Sequence, residues 1–281
     1  KDIRIAQGIR FFSAVITLAL LLFAVSISIK DMFVLEKTGV IAYAFDESRS
    51  LGAKDQNGIS RIRRAKKAVA DIDKFPHTIV SAYGFTDRAS SQSSFSDNHE
   101  HFRKTVEFLV AIEAVPGSGS DLGFSLMNIV EDTSRECDKL TRKACMIVFL
   151  SDGENIGDED TLIRAVKLAE RSGIKIIAVG IGEDNPSRIP VYEDGVLTGY
   201  EKGGDGGDYL TDIDEENLKF IAEGSDGIYI KENEARKAVN FIDKNLAQEK
   251  IEVRTEGNPI VIYLLLASIV PLAIFKKYST V

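Results

Sequence analysis

Between Gly39 and about Lys250, short apolar runs alternate with helical patterns, and this alternation restricts the fold more than any other feature of the chain. "GVIAYAF", "HTIVSAYGF", "KACMIVFLSDG" and "IKIIAVGIG" read as buried strands, and "GIYI" as a shorter one. Helical periods separate them. "ISRIRRAKKAVADIDKF" sets Ile62, Ala65, Val69 and Ile72 on one face. "NHEHFRKTVEFLVAI", "SDLGFSLMNIVEDT", "DEDTLIRAVKLAERSG", "DEENLKFIAEGS" and "NEARKAVNFIDKNLAQE" continue the series. The Ser-rich "TDRASSQSSFS" has room for a short edge strand, and the Gly- and Asp-rich stretch from Glu183 to Asp208 reads as a loop. The pattern predicts an α/β fold: a doubly wound, mostly parallel sheet with helices on both faces. Such sheets bind ligands at the carboxyl ends of their strands, where the strand order reverses.

Two of the predicted strands end in an acid at that edge. "VIAYAFDESRSLG" delivers Asp46 and then, two and four residues on, the hydroxyls of Ser48 and Ser50. "FLSDGE" delivers Asp152, and "GSGSDLG" places Ser120 just before a helix. Carboxylates and hydroxyls form an all-oxygen donor set, which suits a hard cation: Mg²⁺ first, with Ca²⁺ or Mn²⁺ as alternatives.

From Gly39 to Ile230 the chain resembles the von Willebrand factor A domains, whose metal-ion-dependent adhesion site matches "DESRS", Ser120 in "GSDLGFSL" and Asp152 in "SDG". The resemblance implies that Ser48 and Ser50 bind the ion directly, and that Asp46 and Asp152 bind it directly or through water. Ser120 stands where the family usually has Thr, which keeps the hydroxyl on a less constrained rotamer. The ion would then recognise an Asp or Glu of a protein partner, with Arg49, Asp121 and Glu154 as candidates for partner contact. Arg49 stands where many relatives have a small residue, and its side chain is expected to reach into solvent.

The ends of the chain suggest a membrane. Phe11 to Ile29 carries no charge and is long enough to span a bilayer as a helix, a signal peptide being the alternative. Residues 259–275 form a second candidate span, shorter and interrupted by Pro271. Basic residues flank the outer ends (Lys1, Arg4 and Arg10; Lys276 and Lys277), so residues 1–10 and 276–281 are expected in the cytoplasm. The domain at 38–250 would then lie outside it, although Lys30, Lys37, Lys250 and Arg254 weaken the asymmetry. In that oxidising setting Cys137 and Cys145 could close a small disulfide loop, the alternative being two unrelated buried thiols. A net charge of −8 argues against nucleic acid.

A von Willebrand A domain between two spans is similar to the bacterial Bat-type (aerotolerance) membrane proteins, often encoded beside MoxR-type AAA+ ATPases. "SRIRRAKKAVADI", "IVFLSDGENIGD", "AVGIGEDNPSRIPVYEDG" and "DEENLKFIAEGSDGIYI" carry that likeness. It implies a bacterial inner-membrane protein with an extracytoplasmic domain, working with other such subunits and a MoxR-type ATPase in envelope stress tolerance or protein maturation. Related domains assist assembly of methanol dehydrogenase, which is a second expectation. A cytoplasmic ATPase could reach an outward-facing domain only through the spans or another subunit.

Catalysis is not expected. A haloacid dehalogenase-type phosphatase needs a second Asp two residues after the nucleophile, where this chain has Ser48, and neither a Gly-x-Ser-x-Gly turn nor a P-loop occurs. His99 and His101 diverge at i, i+2 on a helix and are expected to be solvated or locally bonded. Asp205 and Asp208 in the acidic loop are a weaker candidate for an interface or a Ca²⁺ site.

Overall fold

The computed structural model describes residues 11–12, 15–20, 22–23, 33–117, 119–140, 144–183, 185–193 and 196–252. Lys37–Gln248 gather into one compact unit, and Lys1–Glu36 with Glu249–Val281 are assigned to another. In the second unit, residues 11–12, 15–20 and 22–23 are helical and several are exposed, among them Phe11, Leu18 and Leu22. Among the described residues no helix is long and apolar enough to cross a membrane. The candidate span at 259–275 and both terminal flanks lie outside the described residues.

Strand β1 (Phe33–Asp46) is the centre of the main sheet. It is followed by helix α1 (Arg61–Ile72), β2 (Thr78–Phe85), the edge strand β3 (Ala89–Ser91), α2 (His99–Phe108) and α3 (Leu122–Lys139). Next come β4 (Cys145–Ser151), α4 (Glu159–Arg171) and β5 (Lys175–Gly180). The region read as a loop contains β6 (Ser187–Arg188), β7 (Pro190–Glu193), β8 (Val196–Tyr200) and β9 (Leu210–Thr211). Helix α5 (Glu215–Glu223), β10 (Ile228–Lys231), α6 (Ala235–Asn245) and β11 (Ala247–Glu252) complete the series. The final helix therefore stops short of its predicted end, and the chain turns back to pair β11 with β1.

The sheet order is β10-β5-β4-β1-β2-β3, parallel except for the β2–β3 edge pair. Successive strand side chains point to opposite faces, and β1 obeys this strictly. Ile41, Tyr43 and Phe45 enter one core with Ile62, Ala65, Val69 and Ile72 of α1. Val40, Ala42 and Ala44 enter the other with Leu122, Leu126 and Ile129 of α3. Both faces of β1 are covered, which is why its sequence is continuously apolar. Full burial of Phe149, stacked on Phe85 at 4.7 Å between centroids, contributes about 2 kcal/mol by area alone.

The chain leaves β1 to build β2 on one side, then returns to place β4 on the other. The strand order thus reverses at β1, opening a crevice between the carboxyl ends of β1 and β4. Aspartates cap the helices that start at this edge: Asp121 accepts from the Phe124 amide at 2.8 Å and Asp158 from the Thr161 amide at 3.0 Å. Cys137 near the end of α3 is disulfide-bonded to Cys145, the first residue of β4, with their Cα atoms 6.4 Å apart. A cross-link over so short a loop removes unfolded-chain entropy equivalent to about 2–3 kcal/mol.

His99 is buried and bonded beyond its own helix. Its Nδ1 lies 2.8 Å from Asp73 Oδ1 and its Nε2 lies 3.1 Å from the Thr78 carbonyl, both acceptors. Only the doubly protonated ring satisfies both, and the bond to Asp73 raises its pKa, against the opposing effects of burial and of Arg103. A raised folded-state pKa stabilises the fold below the unfolded value, about 6.5, and that contribution disappears as pH rises through the folded pKa. The melting-temperature difference between wild type and His99→Gln is therefore expected to be largest near pH 5.5 and to shrink above neutrality. A difference that grows with pH would contradict this assignment.

Candidate metal centre

β1 carries Asp46 to the crevice, and its pairing with β4 (Phe45 opposite Leu150) brings Ser151 and Asp152 alongside. Asp46 Oδ1 accepts from the Ser48 amide at 3.0 Å, which turns the chain back on itself as an Asx-turn does. A 3₁₀ turn, Arg49–Gly52, follows and brings Ser50 Oγ to 3.0 Å from Ser48 Oγ. Asp46 Oδ2 accepts from Ser151 Oγ at 2.6 Å and from Ser120 Oγ at 3.4 Å. Asp152 accepts from the Glu154 amide at 3.3 Å and from Arg61 Nη1 at 2.9 Å. Asp46, Ser48, Ser50 and Ser120 are thus linked by one hydrogen-bond network, and Asp152, next to Ser151 in the chain, stands beside it. Both carboxylates are fully buried, and the three hydroxyl residues are 5–6% exposed.

A cavity of about 260 Å³ opens over this network, lined by Ser48, Ser50 and Ser120 and walled by Glu154, Ile156 and Tyr209. Burial, then repulsion from Asp152, pushes the Asp46 carboxyl up to about 7 despite the bonds from Ser151 and Ser48. Burial also raises Asp152, and the Arg61 guanidinium opposes that rise. Two buried acids facing converging hydroxyls form a site short of positive charge, which fits a hard divalent cation. Among the described residues no group of three His, Cys, Asp or Glu could hold a metal, so a cation here would have to draw on the serine hydroxyls as well.

The other sequence candidates are placed differently. The Arg49 side chain is 62% exposed yet does not simply reach into solvent: its Nε lies 2.7 Å from Glu113 Oε1 and its Nη1 lies 3.5 Å from Glu201 Oε1. Asp121 is committed to capping α3. Glu154 stands on the cavity wall, its pKa raised by burial and by Asp152. Asp208 is paired with Lys202 at 2.6 Å and Arg188 at 3.4 Å, and Asp205 accepts from the Gly207 amide.

Three contributors escaped the sequence reading. Ser151, the serine of "SDG", makes the shortest of the Asp46 contacts described above. Glu47 sits inside "DESRS", is fully buried, and accepts from Gln92 Nε2 and from the Ala111 and Val115 amides, anchoring the loop after α2. Arg61 is 1% exposed and donates from Nη1 to Asp152 Oδ2 at 2.9 Å. Only Glu47 had a local signal, an acid flanked by two site residues.

The family model described as "von Willebrand factor type A domain" matches residues 41–192. No curated protein matches the chain. Among solved structures, an aerotolerance-related membrane protein from Bacteroides fragilis is similar at 25% identity and a TM-score of 0.63, covering 73% of this chain and 98% of that one. A conserved hypothetical protein, BatB, from Bacteroides thetaiotaomicron is similar at 21% identity and a TM-score of 0.61, over the same shares. Proximal thread matrix protein 1 from the mussel byssus shares the fold at 16% identity and a TM-score of 0.50, over 77% of this chain and 49% of that one.

Proposed function

The chain belongs to the von Willebrand factor type A family, and from that premise we propose that it is a membrane-anchored recognition module of the Bat type, binding an acidic side chain of a protein partner through a divalent cation. The observation that carries this reading is the convergence of the Ser48, Ser50 and Ser120 hydroxyls on the buried Asp46–Asp152 pair, beneath an open cavity. When bound, Mg²⁺ (with Ca²⁺ or Mn²⁺ as alternatives) supplies a hard Lewis-acidic centre that favours an anionic oxygen ligand. Asp46 and Asp152 supply the charge that holds it, and the serines supply neutral oxygens that leave the centre electron-poor. Residues on the wall select the partner: Ile156 is 70% exposed there, and Tyr209 is 43% exposed.

The uncharged run 11–29, the candidate span 259–275 and the likeness to an aerotolerance-related membrane protein support the membrane setting. The Cys137–Cys145 disulfide supports an extracytoplasmic domain on a bacterial inner membrane. Other von Willebrand A subunits and a MoxR-type ATPase acting through the spans are the partners this reading names.

The test is capture from detergent-solubilised native membranes. Wild type in Mg²⁺ is expected to retain a partner that is lost in EDTA and lost with Ser48→Ala/Ser50→Ala. An identical captured set under all three conditions would sink the proposal.

A further inference from the structure

Resting on the cation-site reading above, we propose that Arg61 is a resident counter-ion of that site, positioned to leave a bound divalent ion with unmet positive charge for the partner's carboxylate. Arg61 opens α1 and is the largest fully buried side chain among the described residues. Its Nη1 donates to Asp152 Oδ2 at 2.9 Å and to Thr211 Oγ1 at 2.8 Å, while Nη2 donates to the Thr211 carbonyl at 3.1 Å. The guanidinium is thereby pinned to one oxygen of Asp152 from β9.

A buried guanidinium keeps its proton, so this charge is permanent. Its desolvation is partly offset because three of its N–H donors meet Asp152 and Thr211. With both carboxylates ionised, as cation binding requires, Asp46, Asp152 and Arg61 together carry one net negative charge. A divalent ion would turn that into one positive charge, which an incoming carboxylate would cancel. Without Arg61 the same ion would merely neutralise the two acids, held more tightly and with less attraction left for a partner. Arg61 therefore weakens cation binding and strengthens ligand binding. It acts through Asp152 as a positioning residue.

Calorimetric titration of the full chain in detergent with Mg²⁺ tests this, using wild type, Arg61→Gln and Arg61→Lys. Arg61→Gln is expected to bind Mg²⁺ about tenfold more tightly or better, since a unit charge has left a low-dielectric site. Arg61→Lys keeps the charge and is expected to stay within about threefold of wild type. Unchanged or weaker binding by Arg61→Gln overturns the proposal, as does equal tightening by Arg61→Lys. If Arg61→Gln does not fold, Arg61→Met, neutral and of similar length, takes its place, and failure of Arg61→Met to tighten Mg²⁺ binding overturns the proposal. Absence of Mg²⁺ binding in every protein overturns the cation-site reading as well, whereas equal binding by wild type and Arg61→Gln overturns only the role of Arg61.

Discussion

Asp46→Ala is expected to abolish Mg²⁺ binding, lowering affinity by about 100-fold or more, beyond the range seen when only supporting residues around a metal are changed. The reason is the position of this carboxylate. It is fully buried, and its two oxygens organise the Ser48 amide, Ser151 Oγ and Ser120 Oγ. Removing it deletes half of the acidic charge and releases the serines that it aligns. Calorimetry decides the point: heats equal to wild type would refute the role of Asp46. Asp46→Asn separates ligation from architecture. The amide keeps an acceptor for Ser48 or Ser151 while ending the repulsion from Asp152 that lifts Asp46 to about 7. Without cation this variant is expected to melt at or above wild type, and added Mg²⁺ should raise wild type alone. The site would then be a place where stability is given up for binding.

The second large effect is expected at Gly153. Its φ is +83°, in the left-handed region that favours glycine, and a Cβ there would lie 2.2 Å from the Asp214 carbonyl oxygen. That oxygen belongs to main chain held by the Asp214 amide on the Asp152 carbonyl at 2.8 Å, so it cannot simply swing away. Gly153→Ala is expected to destabilise by about 3–5 kcal/mol in urea unfolding and to weaken Mg²⁺ binding by displacing Asp152. Gly173→Ala is the control, because it shares a positive φ (+65°) but has nothing within 4 Å of the added carbon. Its cost is expected at about 1–2 kcal/mol from backbone strain alone. Equal losses at both positions would show that the contact with Asp214 is unimportant.

The elements that came through clearly from sequence are those whose burial is periodic. α1 shows its apolar face at Ile62, Ala65, Val69 and Ile72, and all four are buried. β1 and β4 are buried on both faces and read as continuous apolar runs. The β7–β8 hairpin was invisible for the opposite reason. Val196 is 65% exposed and Leu197 47% exposed, so no alternation marks them against the surrounding acids and glycines. The end of the last helix was overrun because "NFIDKNLAQE" keeps helical propensity past Asn245, and pairing with β1 overrides it from Ala247.

The same division runs through the site. Asp46, Ser48 and Ser50 lie within five residues, so local chain geometry is enough to bring them together, and their chemistry could be read directly. The α/β class and the strand-end position of Asp152 followed from hydrophobic period, which is also local. Arg61 is different. In "SRIRRAKK" it looks like one surface base among several, and its burial depends on Asp152, 91 residues away, and on Thr211, 150 residues away. The sequence by itself determined the layers, the edge of the sheet where Asp46 and Asp152 meet, and the oxygen-bearing side chains of the first loop, because periodicity and short loops express themselves locally. Only the tertiary structure decided the charge of the site and the neighbours of Arg61, Ser151 and Gly153, because those depend on which distant main chain and which distant charge share a space closed to water.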